Sequence, residues 1–239
     1  MSLLRRGIIS SGKLDAGGPT TYAASTAVLN GTSQYFTLAD SGDNFTSCSF
    51  FTRVKTTQAT TGRLLSASSN TMIFDVRSGN SLVFAEGATA ETYVNASIFD
   101  GNWHTVGFTV DGTAFKIYLD GVNVHSATIT GMSSKDFEAN IYRASTAAAY
   151  FNGSTAFTYF TRSVLSKSYI DEISDVNAKC FGDLSSGLQA DLTTNGSCWD
   201  LANWSGHTSQ ETTDQTGNSN TLTNVGSIGF TGTGLTVEC

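Results

Sequence analysis

The sequence has little proline and little charge. One proline occurs among 239 residues, and Asp, Glu, Lys and Arg together make up only 14%. Turns must therefore rely on the 24 glycines and on asparagine and aspartate, which is typical of proteins whose short strands are joined by tight turns. A transmembrane helix needs about 20 apolar residues in a row, and because no such run occurs we expect none.

Positive charge is scarcer than negative charge. Lys+Arg total 13 against 20 for Asp+Glu, and the net charge is -7 with a pI near 4.8. Such a chain repels phosphate backbones and anionic lipids unless its basic residues form a patch, and the sequence shows no such patch. We therefore expect neither nucleic acid nor a membrane among its partners.

Cysteine is also scarce, with four residues at Cys48, Cys180, Cys198 and Cys239. This number is too small for a disulfide scaffold, and no CxxC or Cys/His spacing indicates a zinc site. We interpret Cys48 as a buried strand residue and the other three as free thiols. Pairing among Cys180, Cys198 and Cys239 is the alternative.

Apolar residues recur at every second position from Gln34 onward, in short segments separated by turn residues. This period is typical of strands with one buried side. The first segments cover residues 35–38, 48–54, 71–77 and 82–85. The pattern predicts an all-β protein, built as an antiparallel β-sandwich.

Residues 99–126 carry the clearest strand pattern. Val106 and Phe108 share one side of a predicted strand, and two Asp-Gly pairs, which begin at Asp111 and Asp120, supply turns. Asp-Gly suits short hairpin loops because both residues tolerate left-handed backbone geometry. We therefore predict a meander of three consecutive strands at the centre of the sandwich.

The apolar spacing changes after residue 162. Leu165, Tyr169 and Ile173 recur at helical spacing, which predicts a short helix over residues 166–173 with Ser166 as its N-cap. Residues 177–239 are rich in Thr, Asn, Gly and Ser, but short apolar islands within them predict short strands docked on the main body. These islands contain Leu188, Leu192, Leu222, Val225, Ile228, Phe230, Leu235 and Val237.

The order of motifs over residues 31–174 resembles the laminin-G-like, or concanavalin-A-like, jelly-roll family. The motifs are Gly31-Thr-Ser-Gln-Tyr-Phe-Thr-Leu38, Phe45-Thr-Ser-Cys-Ser-Phe-Phe-Thr-Arg-Val-Lys55, Asp100-Gly-Asn-Trp-His-Thr-Val106, Lys116-Ile-Tyr-Leu-Asp-Gly121, Tyr150-Phe-Asn-Gly153 and Ser163-Val-Leu-Ser-Lys-Ser-Tyr-Ile170. The resemblance implies a concanavalin-A-like β-sandwich. We divide the chain into an N-terminal arm (1–30), the sandwich (31–176) and a β-rich C-terminal extension (177–239).

The arm is similar to short N-terminal segments of bacteriophage virion proteins, on which laminin-G-like units rich in Thr, Asn and Gly are frequent. This resemblance implies a particle-attachment segment, with basic residues that meet acidic groups and apolar residues that are buried against the particle. The candidate attachment residues are Leu3, Leu4, Arg5, Arg6, Ile8 and Ile9. Because the two arginines interrupt the apolar residues, the arm lacks the continuous apolar core of a secretory signal.

Catalysis finds little support in the sequence. Glycan hydrolases of this fold place two carboxylates close together on one strand, and neither Glu-x-Asp-x-Glu nor Glu-x-Asp-x-x-Glu occurs. The three histidines have no nucleophile motif beside them. We therefore expect no catalytic residues and no cofactor.

Aromatic residues are the candidates for ligand contact, because flat apolar rings with a polar edge stack on sugars. We name Tyr93, Tyr150, Trp199 and Trp204 as candidate glycan-binding residues, with packing as their alternative role. Calcium is an alternative ligand for loop carboxylates, although the family's acidic strand after its closing glycine is here Ser154-Thr-Ala-Phe-Thr-Tyr159. The loop acids are Asp40, Asp43, Asp100, Asp111 and Asp120.

The main hypothesis is a non-catalytic structural protein of a tailed bacteriophage, displayed on the virion exterior as a capsid decoration, fibre or spike component. We expect other virion proteins and a surface polysaccharide as its partners, and a homo-oligomer, with a trimer as our guess. A secreted carbohydrate-binding module is the alternative hypothesis. A glycan hydrolase is the third.

Overall fold

The structure, a computed structural model, describes residues 21–39, 44–67, 71–86, 89–94, 97–130, 132, 134–136, 138–144, 148–204 and 212–238. Strands dominate these residues and pair antiparallel in all but one case, which confirms the predicted all-β sandwich. The strands in chain order are β1 (Thr21–Asn30), β2 (Tyr35–Leu38), β3 (Asn44–Phe45), β4 (Cys48–Lys55), β5 (Gly62–Ala67), β6 (Met72–Arg77), β7 (Ser81–Glu86), β8 (Thr89–Val94), β9 (Trp103–Asp111), β10 (Ala114–Leu119), β11 (Val122–Thr128), β12 (Lys135–Asp136), β13 (Ala139–Ile141), β14 (Asn152–Thr161), β15 (Ala178–Lys179), β16 (Gly196–Trp199), β17 (Ala202–Asn203), β18 (Thr223–Val225) and β19 (Gly229–Glu238).

Two large sheets form the sandwich. The ten-stranded sheet has the order β11-β10-β9-β4-β14-β1-β19-β15, with β16 paired to β14 and β17 paired to β1. The seven-stranded sheet has the order β18-β2-β13-β5-β6-β7-β8, and β3 and β12 form a separate ribbon. Some neighbouring strands, such as β4 and β14 or β2 and β13, come from distant parts of the sequence, so loops from many parts of the chain meet at each end of the sandwich.

Aromatic side chains fill the space between the sheets. The ring centroid of Phe108 lies 5.2 Å from that of Phe74, 4.9 Å from that of Phe84 and 6.0 Å from that of Phe50. All four side chains are fully buried. Full burial of each such side chain stabilises the fold by about 1.5–3 kcal/mol.

The outer face of the ten-stranded sheet carries a second apolar cluster, which two helices cover. These are α1 (Lys167–Ile173) and α2 (Ser186–Asn195), and their Ile170 and Leu188 pack in the same cluster as Phe51 and Phe157 of the sheet. A methyl group at Gly107 would overlap the Phe51 ring, so glycine is required there for this packing. We call this surface the covered face.

The predicted meander exists as β9, β10 and β11, but its predicted position was wrong. It lies at one edge of the ten-stranded sheet, where β11 is the outermost strand, and β4 and β14 lie nearer the centre. The two Asp-Gly turns form as predicted, since Asp120 has φ 48° and Gly112 has φ 57°. Local periodicity identified the strands, whereas their order depends on pairing with distant segments.

Residues 21–30 were assigned to the arm, and this part of the assignment was wrong. They form β1, which pairs with β14 on one side and with β19 and β17 on the other. Both faces of β1 contain buried residues, because the core lies on one side and the covered face on the other. A strand buried in this way shows no alternation, which explains why the sequence pattern was irregular.

The predicted extension after residue 177 is part of both sheets. It contributes β19 beside β1, β16 beside β14 and β18 beside β2. The islands at Leu188 and Leu192, for which strands were predicted, instead lie one turn apart in α2 and are buried. Among the described residues no helix has the length and apolar character needed to cross a membrane.

The short predicted helix is confirmed as α1. Ser166 is its N-cap, and the Ser166 hydroxyl accepts a hydrogen bond from the backbone N–H of Tyr169. The prediction for cysteine was partly wrong: Cys48 is a free and buried thiol as expected, and Cys198 is also free, but Cys180 is disulfide-bonded.

Candidate functional site

One end of the sandwich gathers most of the candidate residues, and we call it the loop end. Strands β1, β4 and β6 end there, while β2, β5 and β14 begin there. The loops are tied to one another by backbone hydrogen bonds, such as that from the N–H of Arg63 to the carbonyl of Ala149 at 2.8 Å. The loop end is therefore assembled from segments far apart in the sequence.

Unusual backbone conformations concentrate at the loop end. Seven non-glycine residues among those described have positive φ, and all except Ser219 lie in loops at this end. The six are Asn80, Ser97, Asp120, Tyr142, Ala149 and Ser227. Such conformations are costly and are held by their surroundings, and they are enriched at functional sites. This clustering makes the loop end the first candidate for ligand contact.

Two tyrosines and an arginine form an aromatic and cationic cluster at the loop end. The rings of Tyr35 and Tyr150 meet edge to face with centroids 6.2 Å apart, and both side chains are half-buried. The Arg143 guanidinium lies 4.0 Å from the centroid of the Tyr35 ring, a cation–π contact. We call these three residues the tyrosine–arginine cluster.

The backbone around Tyr142 positions this cluster. Tyr142 has φ 70°, and its buried hydroxyl is hydrogen-bonded to Thr52, Thr155 and Thr158 inside the sandwich. Its carbonyl accepts a hydrogen bond from the N–H of Phe151 at 3.0 Å, which closes the loop and brings its two arms together. Arg143 and Tyr150 lie next to these anchored residues and therefore emerge side by side.

Side-chain amides surround the cluster. The Gln58 Nε2 donates to the carbonyl of Tyr150 at 3.1 Å, and the Gln58 Oε1 accepts from the N–H of Asn152 at 2.7 Å. On the other side, the Gln34 Nε2 donates to the carbonyl of Ser227 at 3.1 Å. A shallow polar pocket adjoins Asn152, and its lining residues are Lys55, Thr56, Thr57, Gly101, Asn152, Gly153 and Ser154.

The structure separates the four candidate glycan-binding residues predicted from sequence. Trp199 is fully buried and donates from Nε1 to the carbonyl of Asn220 at 2.7 Å, and Trp204 is buried against Phe157. Neither indole offers a ring face to a ligand, so for both tryptophans packing, the alternative role, applies. Tyr93 lies on β8 and packs partly against the core.

Tyr150 is thus the predicted aromatic residue that the structure places in the half-buried tyrosine–arginine cluster. Sequence reasoning missed Tyr35 and Arg143, because they meet Tyr150 only in the folded chain. The six attachment residues proposed for the arm, with Asp40 and Asp43 among the loop acids, lie outside the described residues.

A charged triad lies on the meander at the loop end. The His104 Nδ1 is 2.7 Å from the Asp120 carboxylate, and its Nε2 is 3.1 Å from that of Asp100. The hydrogen bond with Asp120 is the main cause that raises the pKa of His104. Hydrogen bonds from Asn102 lower the pKa of Asp100 to about 2. The triad therefore favours the ionised carboxylate of Asp100 and the protonated imidazole of His104.

General acid catalysis needs a carboxyl that holds a proton near neutral pH and reaches the substrate. Burial raises the pKa of Asp200 to about 7, but this side chain is only 1% exposed and so is not positioned to reach a substrate at the surface. Asp100 is exposed, but its low pKa makes it a poor proton donor. The described residues also contain no group of three or more His, Cys, Asp or Glu side chains placed to hold a metal ion.

Solved structures share this architecture at low sequence identity. A protein from Bacteroides ovatus ATCC 8483, provisionally described as carbohydrate binding, aligns with a TM-score of 0.68 and 14% identity over 92% of this chain. The alignment covers 63% of that protein, so this chain spans less than two thirds of it. At this identity the similarity shows the fold alone.

Two further structures align over about two thirds of the chain. Domain 4 of AbnA, an extracellular arabinanase from Geobacillus stearothermophilus solved with arabinotriose, gives a TM-score of 0.50 at 21% identity, over 67% of this chain and 84% of that one. The heptameric SAP-like pentraxin of Limulus polyphemus gives 0.53 at 12% identity, over 66% of this chain and 83% of that one. No curated protein matches the chain in sequence.

The family comparison covers most of the sandwich. A laminin G family profile, described as the concanavalin A-like lectin/glucanases superfamily, matches residues 30–171. The matched region begins at the end of β1 and ends within α1, so it contains the predicted meander and the tyrosine–arginine cluster. This chain therefore belongs to the concanavalin A-like lectin/glucanases superfamily.

Proposed function

We propose that this chain is a non-catalytic glycan-binding protein that contacts its ligand through the loop end. The tyrosine–arginine cluster is the observation that carries the proposal. Half-exposed tyrosines provide apolar ring surface for stacking on a sugar, and the adjoining polar pocket provides hydrogen-bonding groups for its hydroxyls. Domain 4 of AbnA, which shares this fold, was solved in complex with arabinotriose, and this supports the proposal.

A glycan array with the full-length chain tests this proposal. We expect saturable binding to at least one glycan, and substitution Tyr150→Ala should weaken that binding about tenfold, since each lost stacking contact is worth on the order of 1 kcal/mol or more. The matched control is Tyr169→Ala, which removes a half-buried tyrosine from α1 on the covered face. Equal loss of binding in the two variants would contradict a site at the loop end.

We further propose that the protein is displayed on the exterior of a tailed bacteriophage particle, as a decoration, fibre or spike component. Support comes from the sequence of the arm and from the Thr-, Asn- and Gly-rich style of the sandwich. Deletion of residues 1–12 should leave a folded protein that still binds its glycan and no longer joins particles. Normal incorporation of the truncated chain would rule out attachment through the arm.

One observation favours the second candidate, a secreted carbohydrate-binding module. Cys180 is disulfide-bonded, and disulfides persist in oxidising environments such as those outside the cell. Purification of particles decides between the two candidates. The virion proposal predicts that the chain co-purifies with intact particles at a fixed copy number, whereas a secreted module would remain in the soluble fraction.

A further inference from the structure

An ion cluster at the loop end holds more positive charge than its structure requires. On β6, Asp75 is fully buried and faces away from the core residues Phe74 and Val76. Its carboxylate accepts hydrogen bonds from Arg63 Nε at 2.5 Å and from Arg77 Nη2 at 2.9 Å. Two guanidinium groups thus share one carboxylate, and the cluster has a formal charge of +1.

Folding stability does not explain why two arginines share the Asp75 carboxylate. A buried ion pair contributes little net stability, because the cost of removing both charges from water offsets their attraction. One arginine would satisfy Asp75, and charged residues are only 14% of this chain, whose net charge is -7. A second arginine beside the same carboxylate therefore points to a role in binding.

Arg77 is the member of the cluster that can reach a ligand. Its side chain is 40% exposed, while that of Arg63 is 11% exposed. Arg77 binds Asp75 through Nε at 3.2 Å and through Nη2, which lie on one edge of the planar guanidinium. Because a guanidinium has five N–H donors, three remain for an acceptor, and the fork formed by Nη1 and Nη2 matches the two oxygens of a carboxylate.

The cluster adjoins the proposed glycan site. The Arg63 backbone N–H donates to the carbonyl of Ala149, the residue directly before Tyr150. Arg77 ends β6, which pairs with β5 at the position of Arg63, so both arginines lie at the loop end. Arg143 follows β13 at the same end, so the fold places three arginines from distant parts of the sequence at the loop end, although the sequence alone shows no basic patch.

We propose that Arg77, oriented by Asp75 beside Arg63, binds the carboxylate groups of an acidic polysaccharide whose sugar rings contact the tyrosine–arginine cluster. This inference rests on the proposed glycan-binding function and specifies its ligand class. Asp75 acts as a positioning residue, since it fixes the guanidinium plane before the ligand arrives. Less ordering is then needed when the ligand binds.

Calorimetric titration of the full-length chain tests the inference. The probes are polygalacturonate, alginate and hyaluronan, each beside its carboxyl-reduced form. We expect at least one acidic polymer to bind, and its reduced form to bind about tenfold more weakly, because charge-assisted bidentate hydrogen bonds are lost. Arg77→Gln should remove this difference, and Arg77→Lys should restore only part of it, because lysine keeps the charge without the planar fork.

Lys116→Gln is the matched control, since it removes the same charge from an exposed residue of β10. Thermal unfolding of each variant verifies that it is folded. Equal binding of an acidic polymer and its reduced form, or an equal effect of Arg77→Gln and Lys116→Gln, would overturn the inference while the glycan-binding function stands. Failure of all three acidic polymers to bind would also overturn the inference, whereas the glycan-binding function itself is decided by the glycan array.

Discussion

Aromatic side chains serve different purposes at the loop end and on the covered face. On the covered face Phe157 is 1% exposed and packs against Trp204, whose ring centroid lies 6.2 Å away. At the loop end Tyr35 and Tyr150 meet at the same centroid distance but remain half-buried. Residue type and pairing distance thus do not distinguish packing from binding. The two clusters differ because the C-terminal segment, which contains Trp204, covers Phe157.

The largest expected effect concerns stability on the covered face. Phe157→Ala should lower the free energy of unfolding by about 3–5 kcal/mol, because it removes a buried ring and leaves a cavity. Tyr35→Ala at the loop end should lower it by about 1 kcal/mol or less, since its ring is half-exposed. Chemical denaturation of both variants measures the two values. Similar losses would show that the loop-end tyrosine is also a packing residue.

A pH-dependent effect sharpens the same comparison, because Asp200 is buried within the C-terminal segment. Burial raises its pKa to about 7 from an ordinary value of 3.8, so between these pH values the folded chain holds a proton that the unfolded chain has released. The free energy of unfolding should therefore fall as pH rises from 4 to 7, by up to about 4 kcal/mol.

Asp200→Asn should remove most of this dependence, because asparagine cannot ionise. Denaturation curves of the wild type and the variant at pH 4, 5, 6 and 7 measure the two slopes. An identical slope in both proteins would mean that Asp200 is not the group responsible.

The smallest expected effect is a change in the pKa of His104, which belongs to the charged triad at the loop end. The hydrogen bond with Asp120 raises the pKa of His104, so Asp120→Asn should lower that pKa. Asp100→Asn should lower it less, since Asp100 contributes less to the shift. NMR titration of the His104 ring protons measures both changes. The stabilisation by this pairing is complete below pH 6.5 and is lost as pH rises through the folded-state pKa.

The strands and the helix α1 could be predicted because their signals are local. Alternation in β9, the Asp-Gly turn at Asp120 and the cap at Ser166 depend on neighbouring residues alone. Strand β1 was missed because it is buried on both faces and shows no alternation. The Leu188 and Leu192 spacing was compatible with a helix, but both residues were interpreted as two of the scattered apolar islands that favoured short strands.

The candidate site was less predictable than the fold. Tyr150, Trp199 and Trp204 were all chosen by residue type, and the C-terminal segment buries the two tryptophans. Tyr35 and Arg143 meet only because β2 pairs with β13. No local sequence pattern predicts the contact between Tyr35 and Arg143, so the cluster could be recognised only from the structure.

The central claim is that the loop end contacts the glycan and the covered face does not. Hydrogen–deuterium exchange of the full-length chain, with and without a saturating glycan identified on the array, tests this claim most directly. We predict protection in peptides that cover residues 30–38 and 142–153, and unchanged exchange over residues 186–199. Protection confined to residues 186–199, with unchanged exchange at the loop end, would contradict the account.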